Sequence, residues 1–113
     1  MERGAVWWAQ LPVPAASEPG FRRPVVIVSS NPFNQSRIRT VIVVVLTANL
    51  RLAEAPGNVL VAAADSGLPG DSVANVSQIL TVDKSLLTER CGRLPRRVMK
   101  SLDGGLRLVL ALG

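Results

Sequence analysis

The chain has no histidine and no tyrosine, and only one cysteine, Cys91. Without histidine, a histidine-pair ribonuclease and the Ser-His-Asp and Cys-His nucleophiles are all excluded. One cysteine cannot close an internal disulfide, which suits a reducing compartment. With no histidine beside that cysteine, a zinc site is not expected. Gly-rich phosphate loops followed by Lys-Ser or Lys-Thr are also missing. The longest apolar run, Val41 to Leu46, is far too short to span a bilayer. Met1-Glu2-Arg3-Gly4 lacks the charged-then-apolar order of a signal peptide. A cytoplasmic protein with no membrane partner is therefore expected. Any catalysis must use Arg, Lys, Asp, Glu, Ser, Thr or backbone groups.

What is present fits one domain over residues 1–113, nearly half of it hydrophobic. A domain of this size leaves much surface in water, and a partner subunit would cover some of it. The formal charge is +5 and the pI near 11.1, a balance that attracts nucleic acid, acidic membrane or acidic protein.

Residues 4–11 read as a strand carrying Trp7 and Trp8, and residues 12–23 as a turn-rich loop. Further strands are expected at 25–30, 38–47 and 58–63, then at 72–76 with 78–82 as one bent strand or a pair, and at 90–94. The Val/Ile run of 38–47 predicts burial on both faces, at a barrel centre or a subunit interface. Short turns of helix are placed at 33–37 and 83–88. Residues 48–57 read as irregular, and 66–71 as a turn cluster. From 96 to 112, Val98, Met99, Leu102, Leu106, Val109 and Leu110 have helical spacing, with Pro95 at the start. Gly104-Gly105 is a weak point there, costing about 1 kcal/mol per glycine relative to alanine. Many short strands followed by one helix predict a mainly β fold, a small bent barrel with a C-terminal helix against it.

Ser17-Glu18-Pro19-Gly20-Phe21-Arg22-Arg23-Pro24 precedes a buried strand. A guanidinium at Arg23 could bridge a phosphate with two hydrogen bonds, its backbone held extended by Pro24. Two solvated arginines before a strand would look the same. Thr47, followed by Ala48-Asn49, could donate a hydroxyl to a phosphate oxygen, or simply end a β-branched strand.

Taken in order, these segments resemble the MazF/PemK (Kid) family of toxins. Arg23-Pro24 before VVIVSSNPFN is similar to the family's Arg-Pro opening an apolar strand. Ser17-Glu18 sits where the family commonly has Ser-Glu. Val43 to Asn49 resembles its apolar strand ending in Thr. Gln78-Ile79 resembles the Gln and Ile that precede a short helix, and the segment from Arg96 fits its last element. The resemblance covers nearly the whole chain.

It implies an SH3-like barrel of the CcdB/Kid/MazF type, a homodimer, and an endoribonuclease of a type II toxin–antitoxin system, an mRNA interferase. The implied reaction is metal-independent and cofactor-free, with the 2′-hydroxyl of single-stranded RNA attacking phosphorus and a 5′-hydroxyl leaving. Its targets would be messenger RNA, with ribosomal or transfer RNA as further candidates, and the outcome arrested translation and growth. Arg23 and Thr47 are the implied catalytic pair, with Arg23 preferred as a stabiliser of phosphoryl charge. Glu18 could take the 2′-hydroxyl proton or orient Arg23. Arg22 stands where some relatives have histidine and is expected to touch phosphate. Ser17, Phe21, Asn49 and Gln78 complete the expected RNA-binding set, Phe21 or Phe33 by stacking on bases. A cognate antitoxin with an acidic, disordered tail is the implied protein partner. Two competing readings are a gyrase-binding toxin of the same fold and a non-catalytic RNA-binding barrel.

Overall fold

A computed structural model describes residues 1–11 and 21–113, with Phe21 by its backbone alone. The expectations for Ser17, Glu18 and the Phe21 side chain lie outside the described residues.

Six strands form one antiparallel sheet: β1 (Ala5–Leu11), β2 (Phe21–Ile27), β3 (Thr40–Thr47), β4 (Val59–Val61), β5 (Ser72–Asp83) and β6 (Leu87–Arg93), in the order β4-β5-β3-β2-β1-β6. The Val/Ile run is indeed β3, flanked by β2 and β5, with Val41 and Val43 to Leu46 buried. Residues 72–83 are one strand, and the bend expected within it is a register shift opposite Val44 and Val45. A second irregular stretch separates Val6 from Trp7 and Trp8 from Ala9 where β1 meets β6. Such bulges increase local twist and curl the sheet into a half-barrel.

Alternation assigns the two faces. Ala5, Ala9, Val25, Ile27, Val41, Val43 and Val45 form one cluster, built from the strands and closed by Val82 and Leu87. Val6, Val26, Val44, Leu46, Ala74 and Val76 form the other, against Val98 and Leu102 of the helix α3 (Arg96–Leu110). Val98, Leu102 and Gly105 are the buried stripe of that helix, at the i, i+4, i+7 spacing of one face. Leu108, Val109 and Leu110 are exposed, so the last turn carries its apolar side chains beyond the sheet.

Several sequence expectations shift, among them the helical turn at 83–88, which is a 3-10 turn at Lys84–Leu86, and the closing strand, which is Leu87–Arg93 rather than 90–94. The second strand covers 21–27 rather than 25–30, because pairing with β1 holds Arg22 and Arg23 extended opposite Gln10 and Ala9. It stops at Ile27 because Ser29 turns inward, donating from Oγ to Asn34 Oδ1 and accepting there from the Ile42 amide at 3.1 Å. Ser30 then caps the short helix α1 (Asn31–Gln35), which has Pro32 in its first turn. Residues 48–57, read as irregular, contain a 3-10 turn at Leu50–Glu54. The strand expected at 58–63 is only Val59–Val61, and a short helix, α2 (Ala63–Ser66), takes Ala63 from it and Ser66 from the expected turn cluster. It ends on Gly67 at φ +81°, where a Cβ would collide with the Cys91 carbonyl.

Candidate active site at the mouth of strands β2 and β3

The β2–β3 ladder pairs Val25 with Val45, Val26 with Val44 and Ile27 with Val43. Carried two residues further, the same register sets Arg23 opposite Thr47. Both then belong to the face of Val25 and Val45, at the open end of that cluster. Pro24 explains why the pairing stops there: it has no N–H to give a neighbouring strand. Beyond it, Arg23 remains tied to β1 through Ala9, and Thr47 to β5 through Val73.

The half-buried Thr47 Oγ accepts from the Asn49 amide at 3.2 Å. Its own O–H has no acceptor among the described residues, so that proton is available to an incoming phosphoryl oxygen. Asn49 caps the 3-10 turn, its Oδ1 accepting from the Arg51 amide at 3.2 Å. Its side-chain N–H groups stay exposed beside Thr47. Arg23 is exposed.

Arg22 lies on the opposite face of the sheet. Its guanidinium sits over the Trp8 ring, 4.4 Å from the centroid, and donates to Glu89 Oε1 at 2.8 Å. Trp8 pairs with Glu89 across β1 and β6, so the three side chains form one cluster on that face. Both tryptophans are half-buried, as a core or interface role requires, Trp7 against the strand-only cluster and Trp8 against the helix-side one.

Gln78 belongs to an amide cluster at the β5 bulge. Asn75, on the Thr47 face through its pairing with Val45, donates from Nδ2 to Gln78 Oε1 at 3.0 Å. Ser77 Oγ donates to Asn75 Oδ1 at 2.9 Å, and Asn58 Nδ2 donates there at 3.3 Å. Gln78 is exposed, and its own N–H groups have no acceptor among the described residues. Sequence reading passed over Asn58, Asn75 and Glu89. The one available signal was Asn75, a polar residue interrupting the apolar Val73-Ala74 and Val76. Among the described residues, no three His, Cys, Asp or Glu side chains group as a metal site, and no helix is long and apolar enough to cross a membrane.

A curled antiparallel half-barrel with a C-terminal helix is the fold of the MazF type of small β toxin. It matches a solved mycobacterial endoribonuclease in complex with its cognate antitoxin, with TM-score 0.78 and 26% identity over 100% of this chain and 97% of that one. Residues 2–110 match the PemK-like, MazF-like toxin of type II toxin–antitoxin systems, and the chain belongs to that family. It is 46% identical over 112 residues to the endoribonuclease MazF6 of Mycobacterium tuberculosis, covering 99% of this chain and 98% of the relative. To the endoribonuclease EndoA of Bacillus subtilis it is 35% identical over 112 residues, covering 99% and 96%.

Proposed function

We propose that this chain is the endoribonuclease toxin of a type II toxin–antitoxin system and cuts single-stranded RNA at short sequences. The observation that carries the reading is the β2–β3 register, which, extended two residues past Val25 and Val45, sets Arg23 opposite Thr47 at the open end of one face. Endoribonucleases among the full-length relatives support it.

In the reaction, the ribose 2′-oxygen forms a bond to the adjacent phosphorus as the bond from phosphorus to the 5′-oxygen breaks. A 2′,3′-cyclic phosphate and a 5′-hydroxyl result. The 2′-hydroxyl proton passes to a base, for which Glu18 is the nearest carboxylate in sequence, or to water. The departing 5′-oxygen takes up a proton. Negative charge builds on the phosphoryl oxygens, where Arg23 supplies a fixed positive charge and Thr47 an O–H donor. Neither role requires a metal or a histidine. Asn49 and Gln78 present amide N–H groups to bases on the same side, and Ser17 and Phe21 are further RNA-binding residues of this reading. Arg22 contacts the strand's phosphates from the other face.

The active form is a homodimer, each 113-residue chain acting as one toxin domain, and the exposed Leu108, Leu110 and Leu112 give a second subunit apolar surface to cover. An antitoxin with an acidic tail holds the toxin inactive in the cytoplasm, its charge matched to the basic chain. Incubating purified protein with a long RNA, with and without chelator, tests the reading. Discrete cuts that survive chelation, and disappear when the scissile position lacks its 2′-hydroxyl, are expected. Intact RNA together with inhibited gyrase would replace this reading with a gyrase-binding one.

A further inference from the structure

A cleft of about 560 Å3 opens where the N-terminal segment meets the end of β6 and the start of α3. Arg3, Arg93, Arg96 and Lys100 line it. It lies well away from Arg23 and Thr47. Arg3 Nε donates to the Val28 carbonyl at 2.8 Å. Val28 is beyond the far end of β2 from Arg23, about 16 Å along at the rise of a strand.

The cations of this cleft exceed their counter-charges. Asp103 is its carboxylate, and it is taken by Arg3 at 2.6 Å. Arg93 reaches Glu2 at 3.5 Å, and Glu2 is shared with Arg90 at 2.9 Å. Arg96 and Lys100 have no carboxylate within ion-pair distance among the described residues. They stand four residues apart on α3, so two like charges share one face, which costs a helix a few tenths of a kcal/mol.

The helix adds to the excess. Pro95 caps it without a side-chain hydrogen bond, and its first turn has no acidic residue. Stability alone favours carboxylates at a helix start and cations at its end. Here Arg96 and Arg97 occupy the start. Arg97 is compensated by Asp65 at 2.7 Å, while Arg96 is not. An anion in the cleft would relieve both the like-charge pair and the uncapped terminus.

The geometry points to this cleft as a second phosphate site, which holds a backbone phosphate of an RNA strand whose scissile bond lies at Arg23 and Thr47. The inference rests on RNA being the substrate there. Three of the four cations are arginines, whose forked donors match phosphate oxygens. The apolar residues of the cleft favour a phosphate backbone over an acidic peptide. Leu94 is buried, and Pro95 and Met99 are half-buried, so no large apolar side chain stands exposed as an anchor. The adjoining groove further along the same flank of α3, which shares Arg3 and Asp103 with the cleft and is lined by Leu110 and Leu112, does offer such anchors.

The test uses the double variant Arg96→Gln, Lys100→Gln, which changes two exposed side chains of the intact protein. Two RNAs are compared: a short one confined to the cleavage sequence, and the same sequence with flanks on both sides. Binding is measured on versions lacking the 2′-hydroxyl at the scissile position. The variant should cut the short RNA at the wild-type rate and bind the flanked RNA about tenfold more weakly. Its salt slope on flanked RNA should fall by about 1.4, the value for two lost contacts to a single strand. Wild-type affinity and slope on flanked RNA would overturn the proposal. Failure of both proteins to cut the short RNA would instead overturn the ribonuclease reading.

Titration with inorganic phosphate, read from the amide shifts of Arg96 and Lys100, separates the sources of the anion. Shifts in the wild type, together with weakened flanked-RNA binding in the variant, support the RNA strand. Phosphate shifts without any flank effect would assign the cleft to a small free phosphate and overturn the RNA source. A polyglutamate peptide that shifts these amides when phosphate and RNA do not would overturn the phosphate site itself.

Discussion

Arg22 lies over the Trp8 ring at 4.4 Å, on the face of the sheet opposite to its neighbour Arg23. Two consecutive arginines therefore serve different surfaces. Substitution Arg22→Ala removes a cation–π contact and an exposed ion pair to Glu89, together about 1 kcal/mol of stability. We expect a small fall in denaturation midpoint, a change in tryptophan fluorescence, and cleavage of a short RNA within several-fold of wild type. Complete loss of cleavage in a folded Arg22→Ala protein would place Arg22 at the reacting centre.

Arg23→Ala and Thr47→Ala should each lower kcat/KM by at least about 100-fold, the loss expected when a group stabilising transition-state charge is removed. Circular dichroism and the mass in solution should not change. Arg23→Lys should recover only part of the rate, because an ammonium keeps the charge and loses the planar fork. A normal rate in either alanine variant would show that the shared register of Arg23 and Thr47 is not the catalytic arrangement.

Gly104 and Gly105 should respond in opposite directions. Gly105 is buried against the Gly57 backbone, and a Cβ there would collide with the Gly57 carbonyl; Gly104 is exposed with nothing within 4 Å. Gly104→Ala should stabilise by about 0.5–1 kcal/mol through helix propensity and a less free unfolded chain. Gly105→Ala should destabilise by about 1–3 kcal/mol through overpacking. Thermal melts of the two variants check both signs.

Burial raises the Cys91 thiol above its ordinary range, and the Glu89 charge raises it further, against a lowering contribution from Arg22. A raised pKa means that the folded protein holds this proton where the unfolded chain releases it. Cys91 therefore contributes no pH dependence at neutrality, and stability falls as pH rises through the unfolded thiol's pKa. Alkylation by iodoacetamide near pH 8 should be slower than for an unfolded cysteine peptide, and faster in Glu89→Gln. Equal rates in the two proteins would remove Glu89 as a cause.

Much of the fold was legible in the sequence because strand burial and alternation are local properties. The Val/Ile run marked the central strand, and the spacing from Val98 to Leu106 marked the helix. Arg22 and Arg23 were read as the end of a loop because residues 12–23 are rich in Pro, Gly, Ala, Ser and charge. Pairing with β1 overrides that preference, and the division of the two arginines between faces follows only once the strand is known to begin at Phe21. Glu89 was invisible for a different reason: it meets Arg22 across 67 residues of sequence. Arg23 and Thr47 were singled out by resemblance to the family, since neither residue's local chemistry distinguishes it from an ordinary surface arginine or a strand-ending threonine.

Pro24 has a mechanical consequence. Arg23 rides on the β1–β2 pair and Thr47 on the β3–β5 pair, and the two pairs join only from Val25 and Val45 inward. The guanidinium and the hydroxyl can therefore separate or close without breaking a rung between their strands. The rung between Val25 and Val45 is therefore the last tie between the two pairs before the mouth.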